Sequence, residues 1–313
     1  MTELADGRRL GWLGTGRMGT VLVTRLLRAG YDVAVYNRTM AKAQPLADLG
    51  AEVVGSAAGL AGRDIVFATV GTPQDLTDAV LGPGGLATAG ASPAILVDCS
   101  TISAEASREI RQRLQERGTA LLAAPVMGNP KAAQAGRLTL AVSGPRAAFD
   151  AARPYLAVLG SGATYVGEDE LARIVKLCHN LFLGIVAQSL AEVTVLAEKS
   201  GISRQAFLAC LNDSVMGSTF TRYKTPAYVN LDFEATFTAT LLRKDFDLGL
   251  AAAREREVPM PVASLVYQLV QGLVGQGLGE SDFAALLVLA ARAAGLSLTS
   301  EAAEVSDGLE ATS

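Results

Sequence analysis

Cysteine and histidine are scarce in this chain, which has 313 residues, three cysteines and one histidine. Cys99, Cys178 and Cys210 form no Cys-x-x-Cys pair, so the sequence predicts neither a disulfide framework nor a zinc site. We expect all three to be packing residues. His179 alone cannot build a multi-histidine metal site, and it has no acidic partner nearby in the sequence for a Ser-His-Asp triad. The sequence therefore predicts no bound metal.

Basic residues are outnumbered, with 27 lysines and arginines against 31 acidic residues and a formal net charge of −4. No basic run alternates with aromatic residues, as a nucleic-acid-binding surface would require. Charged residues interrupt the apolar stretches before they reach the length of a membrane span, and the start, MTELADGRR, lacks the basic-then-apolar order of a signal peptide. Half of the residues are apolar, which suits two domains with sizeable cores. We expect a cytoplasmic protein that binds neither nucleic acid nor membrane.

A glycine-rich turn near the N-terminus carries the first functional signal. The apolar run Arg9–Leu13 leads into GTGRMG, then into the helical pattern VLVTRLLRAG and a second strand at 32–36. Between a strand and a helix, this GxGxxG spacing predicts a dinucleotide-binding loop. Its glycines permit the turn, the approach of the pyrophosphate and the packing of helix on strand, and the helix N-terminus favours phosphate. The cofactor contacts expected here are Gly14, Gly16, Arg17, Met18 and Gly19.

The residues after the second strand indicate which nicotinamide cofactor fits. An acidic residue at this position accepts hydrogen bonds from the ribose 2′-hydroxyl of NAD. This chain has Asn37, Arg38 and Thr39 instead. Arg38 can form a charge-assisted contact with a 2′-phosphate, helped by Thr39 and Lys42, although a solvated arginine is the alternative. The sequence favours NADP(H) over NAD(H).

Strand patterns alternate with helical patterns through the first half of the chain, which is typical of a doubly wound α/β sheet with helices on both faces. Ligands of such sheets bind beyond the carboxyl ends of the strands, so the loops there should surround one crevice. The expected strands cover 9–13, 32–36, 51–54, 64–69, 94–98, 120–123, 138–143 and 164–166. The loop residues expected at the crevice are Val70, Gly71, Ser100, Thr101, Met127, Gly128 and Asn129.

One long helix is predicted over residues 167–200, because acidic residues open the segment, Lys199 and Gly201 close it, and no proline interrupts it. At about 1.5 Å per residue it would reach roughly 45 Å, more than a small domain needs. Beyond it the strand patterns stop, and helical patterns cover 203–212, 241–257, 263–275 and 282–294. From 299 onward few large apolar residues remain. The predicted organisation is a Rossmann-type NADP-binding domain (1–166), a long interdomain helix (167–200), an all-α C-terminal domain (201–298) and a disordered tail (299–313).

Lys176 and Asn180 lie four residues apart in the long helix and therefore share a face. Gly184, Ala187 and Ala191 continue that face with small side chains, which would let another surface approach closely. A lysine in this position could also extend its stem along the helix to solvent. Because the helix exceeds the needs of one domain, we expect an oligomer, a homodimer or homotetramer, in which the helix packs against a partner chain.

Further motifs follow the glycine turn in a fixed order. They are Gly11-x-x-Gly14-x-Gly16-x-Met18-Gly19, Asp98-x-Ser100-Thr101, Ala124-Pro125-Val126 with Ala135-Gly136-x-Leu138-Thr139, Lys176-x-x-x-Asn180 and Lys244-Asp245. Along nearly the whole chain, their order and spacing resemble those of the β-hydroxyacid dehydrogenase family. That family includes 3-hydroxyisobutyrate dehydrogenases and glyoxylate or succinic semialdehyde reductases, with imine reductases as more distant relatives.

The resemblance implies an NADP(H)-dependent oxidoreductase that transfers hydride between the cofactor and a small carbonyl, aldehyde or 3-hydroxy acid. It implies that Lys176 is the catalytic lysine and Asn180 its partner. A lysine ammonium can stabilise the negative charge that develops on a carbonyl oxygen and can then donate a proton to it. By the same resemblance Asp245 takes part in catalysis, Thr101 and Lys244 contact the cofactor, and Ser100, Met127, Gly128, Asn129 and Phe237 lie at the substrate.

The chain departs from the family pattern at two places. Met127-Gly128-Asn129-Pro130 stands where the family commonly has Ser-Gly-Gly, which removes a hydroxyl that helps to hold a substrate carboxylate. Glu170 and Ala172 stand where a Gly-x-Gly pair is frequent, so the first turn of the helix should pack differently. Two alternatives stay open at this stage, imine reduction on the same scaffold and a non-catalytic NADP-binding protein.

Overall fold

The computed structural model describes residues 7–88 and 90–309. The chain divides into two compact units between Lys176 and Leu177. Each unit has a hydrophobic core of its own. The division falls inside one long helix, which starts in the first unit and continues in the second.

The first unit is built on a mostly parallel sheet. Its strands are β1 (Leu10–Leu13), β2 (Val33–Tyr36), β3 (Glu52–Val53), β4 (Ile65–Ala68), β5 (Ile95–Asp98), β6 (Ala120–Ala123), β7 (Val126–Met127), β8 (Thr139–Ser143) and β9 (Gly162–Gly167). They are ordered β3-β2-β1-β4-β5-β6-β8-β7, and β9 pairs with β8. Strands β1 to β6 run parallel, whereas β8 is antiparallel to β6 and β7. The order reverses between β1 and β4, which is the topological switch point of a doubly wound sheet.

Successive side chains of a strand point to opposite sides of the sheet. A separate hydrophobic core covers each side. Trp12 of β1 and Phe67 of β4 belong to one core and stack at a centroid distance of 5.2 Å, whereas Leu13 and Val66 belong to the other. The helices that cover the two faces are α1 (Arg17–Arg28), α2 (Gln44–Ala47), α3 (Pro73–Leu81), α4 (Ala104–Gln115), α5 (Pro130–Gln134) and α6 (Arg146–Leu159). Short 3-10 turns lie at Met40–Lys42, Ala57–Leu60 and Leu86–Thr88. The predicted α/β fold class is confirmed, although the two-residue strand β7 was too short to give a sequence pattern.

Helix α7 spans Leu171–Lys199 and confirms the expected long helix. It starts later than expected because Gly167 and Asp169 have φ values of 120° and 54°, outside the helical region. By length and composition α7 could cross a membrane, and 56% of its most apolar 18-residue segment is buried inside the structure. Lys176 and Glu192 bound its uncharged stretch, 177–191, as the sequence analysis expected. One helix that passes by length and composition is a weak indication, because buried core helices pass the same test.

The second unit is helical. Its remaining helices are α8 (Arg204–Asp213), α9 (Thr219–Asn230), α10 (Ala239–Glu255), α11 (Pro261–Leu273) and α12 (Leu286–Ala293), with a π turn at Val274–Leu278 and a 3-10 turn at Phe283–Ala285. Sequence patterns missed α9, which contains Pro226 and has no clear apolar stripe. Its start nevertheless carries a capping box, in which Ser218 and Thr221 satisfy each other's backbone N–H groups.

The expected disordered tail is ordered over residues 299–309. The carboxylate of Glu301 accepts hydrogen bonds from the backbone N–H groups of Arg204 and Gln205 at 2.7 and 3.0 Å, which caps the start of α8. Asn230 and Ala303 exchange a pair of hydrogen bonds at 2.9 and 3.0 Å. The prediction was wrong here because polar pairing holds the segment and its few apolar side chains are packed, Val305 against the core of the second unit and Leu309 at 8% exposure. The expected tail residues 310–313 lie outside the described residues.

The three cysteines differ in environment. Cys99 is buried, and burial raises the pKa of its thiol well above the ordinary range, as expected for a packing residue. Cys178 and Cys210 are exposed, so the packing role predicted for them is wrong. Both lie on helix faces that their neighbours leave uncovered, which composition alone could not indicate.

Candidate active site

The glycine turn after β1 is built as its spacing predicted. Gly14 has a φ of 89°, and a Cβ there would overlap the carbonyl oxygen of Thr69. A Cβ on Gly19 would overlap the carbonyl oxygen of Gly14, so this glycine lets α1 pack against the turn. At Gly16 an added Cβ would meet no atom within 4 Å, which leaves the backbone open to a close ligand.

Hydrogen bonds tie this turn to the loops after β2 and β4. Thr69 accepts a hydrogen bond from the indole of Trp12 at 2.9 Å and donates one to the carbonyl of Gly14 at 2.8 Å. The side-chain oxygen of Asn37 accepts from the backbone N–H of Thr15 at 2.9 Å, and its amide nitrogen donates to the carbonyl of Thr39 at 2.9 Å. The side chain of Asn37 thus joins two loops.

A cavity of about 390 Å³ opens at the carboxyl ends of β1, β2 and β4. Its position at the switch point is where a doubly wound sheet binds its ligand. Ala57, Ala79 and Pro83 supply an apolar wall, and Lys42 lies at the edge. Of the predicted cofactor residues, Gly14, Gly16, Asn37, Arg38, Thr39, Val70 and Gly71 line it.

Arg38 is 81% exposed and forms a 2.7 Å ion pair with Asp75 of α3. The carboxylate of Asp75 also accepts a hydrogen bond from the hydroxyl of Thr72 at 2.8 Å, and the backbone N–H of Asp75 donates to the same hydroxyl at 3.1 Å. The hydrogen bond from Thr72 and the charge of Arg38 hold the pKa of Asp75 below its ordinary value, against the opposing effect of burial. Sequence reasoning found the arginine but not this carboxylate.

The remaining predicted cofactor residues of this unit are not among those that line the cavity. Arg17 is exposed on the first turn of α1, and Met18 packs against the core. The hydroxyl of Ser100 accepts from the backbone N–H of Val70 at 2.9 Å, so the turn after β5 braces a cavity loop. Thr101 is half-buried beside it.

A buried network of ionised groups, which sequence reasoning missed, joins the turn after β5 to the start of α7. Arg173 contacts the carboxylates of Asp98 at 2.6 Å and Glu170 at 2.9 Å. The second oxygen of Glu170 accepts from Arg111 at 2.8 Å. The one signal in the sequence was Glu170, an acidic residue at a position where the family often has glycine.

The predicted substrate loop is held by its own backbone and side chains. Met127 lies in β7 opposite Thr139, and Gly128 has a φ of 140°. The side-chain oxygen of Asn129 accepts from the backbone N–H of Ala132 at 2.8 Å and caps α5. The amide nitrogen of Asn129 is buried without a hydrogen-bond partner in the described chain. Asn129 is therefore a helix cap with one donor group left over.

Lys176 is 8% exposed on α7, and Asn180, one turn later, is 2% exposed. In the second unit the amide of Asn180 donates to the carboxylate of Asp245 on α10 at 2.5 Å, and a ring nitrogen of His179 lies 2.9 Å from its oxygen. Lys244 lies 3.5 Å from the other oxygen of Asp245. The structure therefore brings Asn180, Asp245 and Lys244 together.

Phe237 and the small residues of α7 pack within the second unit. The ring of Phe237 meets Phe283 edge-on at 5.9 Å. A Cβ on Gly184 would overlap the ring of Phe246, and Ala187 and Ala191 are buried in the same core. Gly184 leaves room for α10 against α7, and Ala187 and Ala191 are covered by the core of the same unit, so the inference that these three residues are available to a partner chain is wrong.

The residues of the first unit fit a dinucleotide. The open backbone at Gly16, the buried hydroxyl of Thr15 without a described partner and the cation at Arg38 are the groups that pyrophosphate and ribose phosphate need. Gly14 and Gly16 would hold the pyrophosphate, and the apolar wall would hold the adenine. Within 7–88 and 90–309, no group of three or more His, Cys, Asp or Glu residues could hold a metal ion.

Comparison with known proteins agrees with this geometry. A family model described as the NAD-binding domain of 6-phosphogluconate dehydrogenase matches residues 9–167. A second, described as the NAD-binding domain of NADP-dependent 3-hydroxyisobutyrate dehydrogenase, matches residues 171–290. Together they extend over both units.

Individual relatives extend over nearly the whole chain. Glyoxylate/succinic semialdehyde reductase 1 of Arabidopsis thaliana is 30% identical over 279 residues, 89% of this chain and 96% of the relative. The NAD-dependent L-serine dehydrogenase of Pseudomonas aeruginosa is 30% identical over 284 residues, 88% of this chain and 95% of that protein. The structure of 3-hydroxyisobutyrate dehydrogenase from Mycobacterium tuberculosis with L-serine superposes with a TM-score of 0.77 at 26% identity, covering 90% of this chain and 98% of that one. The chain therefore belongs to the β-hydroxyacid dehydrogenase family, as an NAD(P)-dependent oxidoreductase.

Proposed function

We propose that this protein is an NADPH-dependent reductase of small carbonyl compounds, with Lys176 as the proton donor. In the reverse direction it would oxidise the corresponding 3-hydroxy acid or alcohol. The observation that carries the proposal is the burial of Lys176, one helical turn before a buried Asn180 that donates a hydrogen bond to Asp245. Burying a lysine is costly unless its charge is hydrogen-bonded or paired, and a lysine retained at such a position fits a role in proton donation.

The roles of the residues follow from the charge that the reaction creates. Bound cofactor supplies or accepts hydride at the nicotinamide C4. As hydride reaches a carbonyl carbon, negative charge develops on the oxygen, and Lys176 stabilises that charge and delivers a proton. Asn180 orients lysine or substrate, and the hydrogen bond to Asp245 fixes the rotamer of the amide.

The preference for NADPH rests on the cavity mouth. Arg38, Thr39 and Lys42 line the cavity beyond β2, the strand whose end faces the adenosine ribose in dinucleotide-binding folds. An arginine can pair with a phosphate dianion there through several N–H donors, and no acidic residue follows β2 to accept from a 2′-hydroxyl. The family model of an NADP-dependent dehydrogenase and the NAD-dependent relative from Pseudomonas aeruginosa show that the family contains both preferences, so the proposal rests on the residues of this chain.

The substrate class proposed is a small aldehyde or keto acid with a carboxylate. The names of the relatives, glyoxylate/succinic semialdehyde reductase and L-serine dehydrogenase, share that chemistry. In this chain the unsatisfied amide nitrogen of Asn129 is the donor available in place of the family's serine hydroxyl. An amide donor and an apolar Met127 should select a different carboxylate substrate from a loop with serine.

We further propose a homodimer or homotetramer that acts in the cytoplasm on small molecules, with neither nucleic acid nor membrane as a partner. Support for an oligomer now comes from a different face of α7. Phe182, Val193 and Leu196 are 67%, 44% and 68% exposed. Their spacing places them on one side of the helix, an apolar stripe of the kind that marks an interface.

The test is a screen of NADPH oxidation with glyoxylate, succinic semialdehyde, other short keto acids and cyclic imines, run in parallel with the Lys176→Ala variant. Reduction of a carbonyl compound by the unmodified protein, lost in the variant, is the expected result. Turnover of imines only, or carbonyl reduction that survives the loss of Lys176, would contradict the proposal. Cofactor binding without any turnover would favour the non-catalytic alternative.

A further inference from the structure

We propose that Arg173 is a positioning residue, which fastens the first turn of α7, and with it Lys176, to the turn that follows β5. The inference deepens the proposed function and rests on it for the role of Lys176. It starts from one side chain that is 2% exposed and makes four polar contacts. They are Nε to Glu170 at 2.9 Å, Nη1 to the carbonyl of Ser100 at 3.1 Å, and Nη2 to Asp98 at 2.6 Å and Ser107 at 2.8 Å.

These four partners lie on different segments. Asp98 ends β5, Ser100 is in the following turn, Ser107 is on α4 and Glu170 directly precedes α7. A planar guanidinium has donors in fixed directions and can hold several such groups in one arrangement, which a single ammonium cannot do. Arg173 therefore determines the position of the start of α7 relative to the end of the strand.

The positive and negative charges of the network balance each other. Glu170 contacts Arg111 as well as Arg173, and Arg111 donates to the backbone carbonyls of Leu121 at 2.6 Å and Asp169 at 2.8 Å. Two carboxylates thus face two guanidiniums. Buried ion pairs often add little net stability, because desolvation offsets their attraction. Four ionised groups in this place are better explained by their fixing the position of the start of α7.

Both ends of the network lead to predicted site residues. Lys176 follows Arg173 by three residues, about one helical turn, in the same unit. Arg173 donates a hydrogen bond to the backbone carbonyl of Ser100. The hydroxyl of Ser100 in turn accepts a hydrogen bond from the backbone N–H of Val70, which lines the cavity. One guanidinium therefore links the helix turn that carries the lysine to the turn that braces the cofactor loop.

The test compares Arg173→Lys with a matched control, Arg204→Lys. Arg204 of the second unit is also fully buried and donates to backbone carbonyls of Tyr228 and Val229 at 2.8 and 2.9 Å. Both substitutions keep the positive charge, replace the planar guanidinium by a single ammonium group and should lower Tm. We measure kcat, KM and the NADPH Kd with the best carbonyl substrate, well below the lower Tm.

For Arg173→Lys we expect kcat to fall about ten-fold to a hundred-fold, since small misplacements of a reacting group cost that much. The NADPH Kd should change by less than about three-fold, because the Ser100 to Val70 hydrogen bond remains. For Arg204→Lys, kcat should stay within about two-fold, because the residue lies outside the network. Equal losses of kcat in the two variants, or an unchanged kcat in Arg173→Lys, would overturn the proposal.

Ser107→Ala keeps the inference testable should Arg173→Lys fail to fold. It removes one of the four contacts and leaves no charge unpaired. We expect kcat to fall about two-fold to five-fold with little change in Tm, and an unchanged kcat would count against a positioning role.

A readout independent of turnover separates this proposal from the proposed function. Hydrogen exchange measured by mass spectrometry should accelerate together in peptides covering 98–101 and 171–176 in Arg173→Lys, and in neither peptide in Arg204→Lys. If the unmodified protein reduces no carbonyl, the proposed function fails, whereas the exchange data still decide whether Arg173 joins these two segments. Unchanged exchange in both peptides would show that it does not.

Discussion

The guanidinium of Arg38 lies 2.7 Å from the carboxylate of Asp75 at the mouth of the cavity. The carboxylate is held in place by Thr72, whereas the arginine is mostly exposed and can turn toward a ligand. A 2′-phosphate would have to share Arg38 with Asp75. This pair gives two predictions of opposite sign.

We expect Arg38→Ala to weaken NADPH binding by about ten-fold to a hundred-fold, which corresponds to a lost charge-assisted pair of roughly 1.5 to 3 kcal/mol. NADH affinity should change little, because NADH carries no 2′-phosphate. Fluorescence titration of both cofactors measures the effect. Equal affinities of the unmodified protein for NADPH and NADH would contradict the proposed preference.

Asp75→Asn should strengthen NADPH binding by about two-fold to five-fold, since it removes a competing charge from an exposed pair. The matched control is Asp78→Asn, which removes a carboxylate that also lines the cavity but accepts from Gln74 instead of Arg38. We expect the control to change the NADPH Kd less. Weaker NADPH binding in Asp75→Asn would show that Asp75 orients Arg38 rather than competing for it.

Lys176→Ala should lower kcat by roughly a hundred-fold to ten-thousand-fold and leave NADPH affinity nearly unchanged, because the ammonium acts on charge that appears in the transition state. Lys176→Arg should restore little activity, since a guanidinium holds its protons too firmly to donate one. Lys199→Ala, at the exposed end of the same helix, is the control. An arginine variant with most of the normal kcat would show that Lys176 is not the proton donor.

Gly184→Ala should destabilise the second unit by about 1 to 2 kcal/mol, because its Cβ would overlap the buried ring of Phe246 and force the core to shift. Gly272→Ala on α11 is the matched control, since nothing lies within 4 Å of its added Cβ. Helix propensity should make that change neutral or stabilising by up to about 1 kcal/mol. Urea denaturation gives both values, and equal stability of the two variants would contradict the packing of α7 on α10.

The exposed stripe on α7 predicts the oligomeric state. We expect Phe182→Ser to shift the protein toward monomer in light scattering at micromolar concentration, because a large apolar side chain at an interface centre contributes most to affinity. Leu265→Ser, which alters a 63% exposed leucine on α11, should leave the mass unchanged. An unmodified protein that is already monomeric would contradict the interface.

The sequence by itself determined the features that depend on near neighbours. Short, nearly continuous apolar runs located the central strands of the doubly wound sheet, since β1, β4 and β5 are buried on both faces. The spacing of Gly14, Gly16 and Gly19 identified the dinucleotide loop, because Gly14 and Gly19 are required by close contacts with backbone oxygens and Gly16 leaves its backbone open to a ligand. The four-residue spacing of Lys176 and Asn180 placed them on one helix face for the same local reason.

Tertiary structure alone decided which groups meet across long separations. Arg173 and Asp98 are 75 residues apart, Arg38 and Asp75 are 37 apart, and Arg204 and Glu301 are 97 apart. Patterns along the chain show where a charged residue lies but not its partner. The same limit explains the small residues of α7, whose spacing indicates a close approach but not by which helix. The packed core decided this, because only its arrangement determines which side chain fills the space beside Gly184.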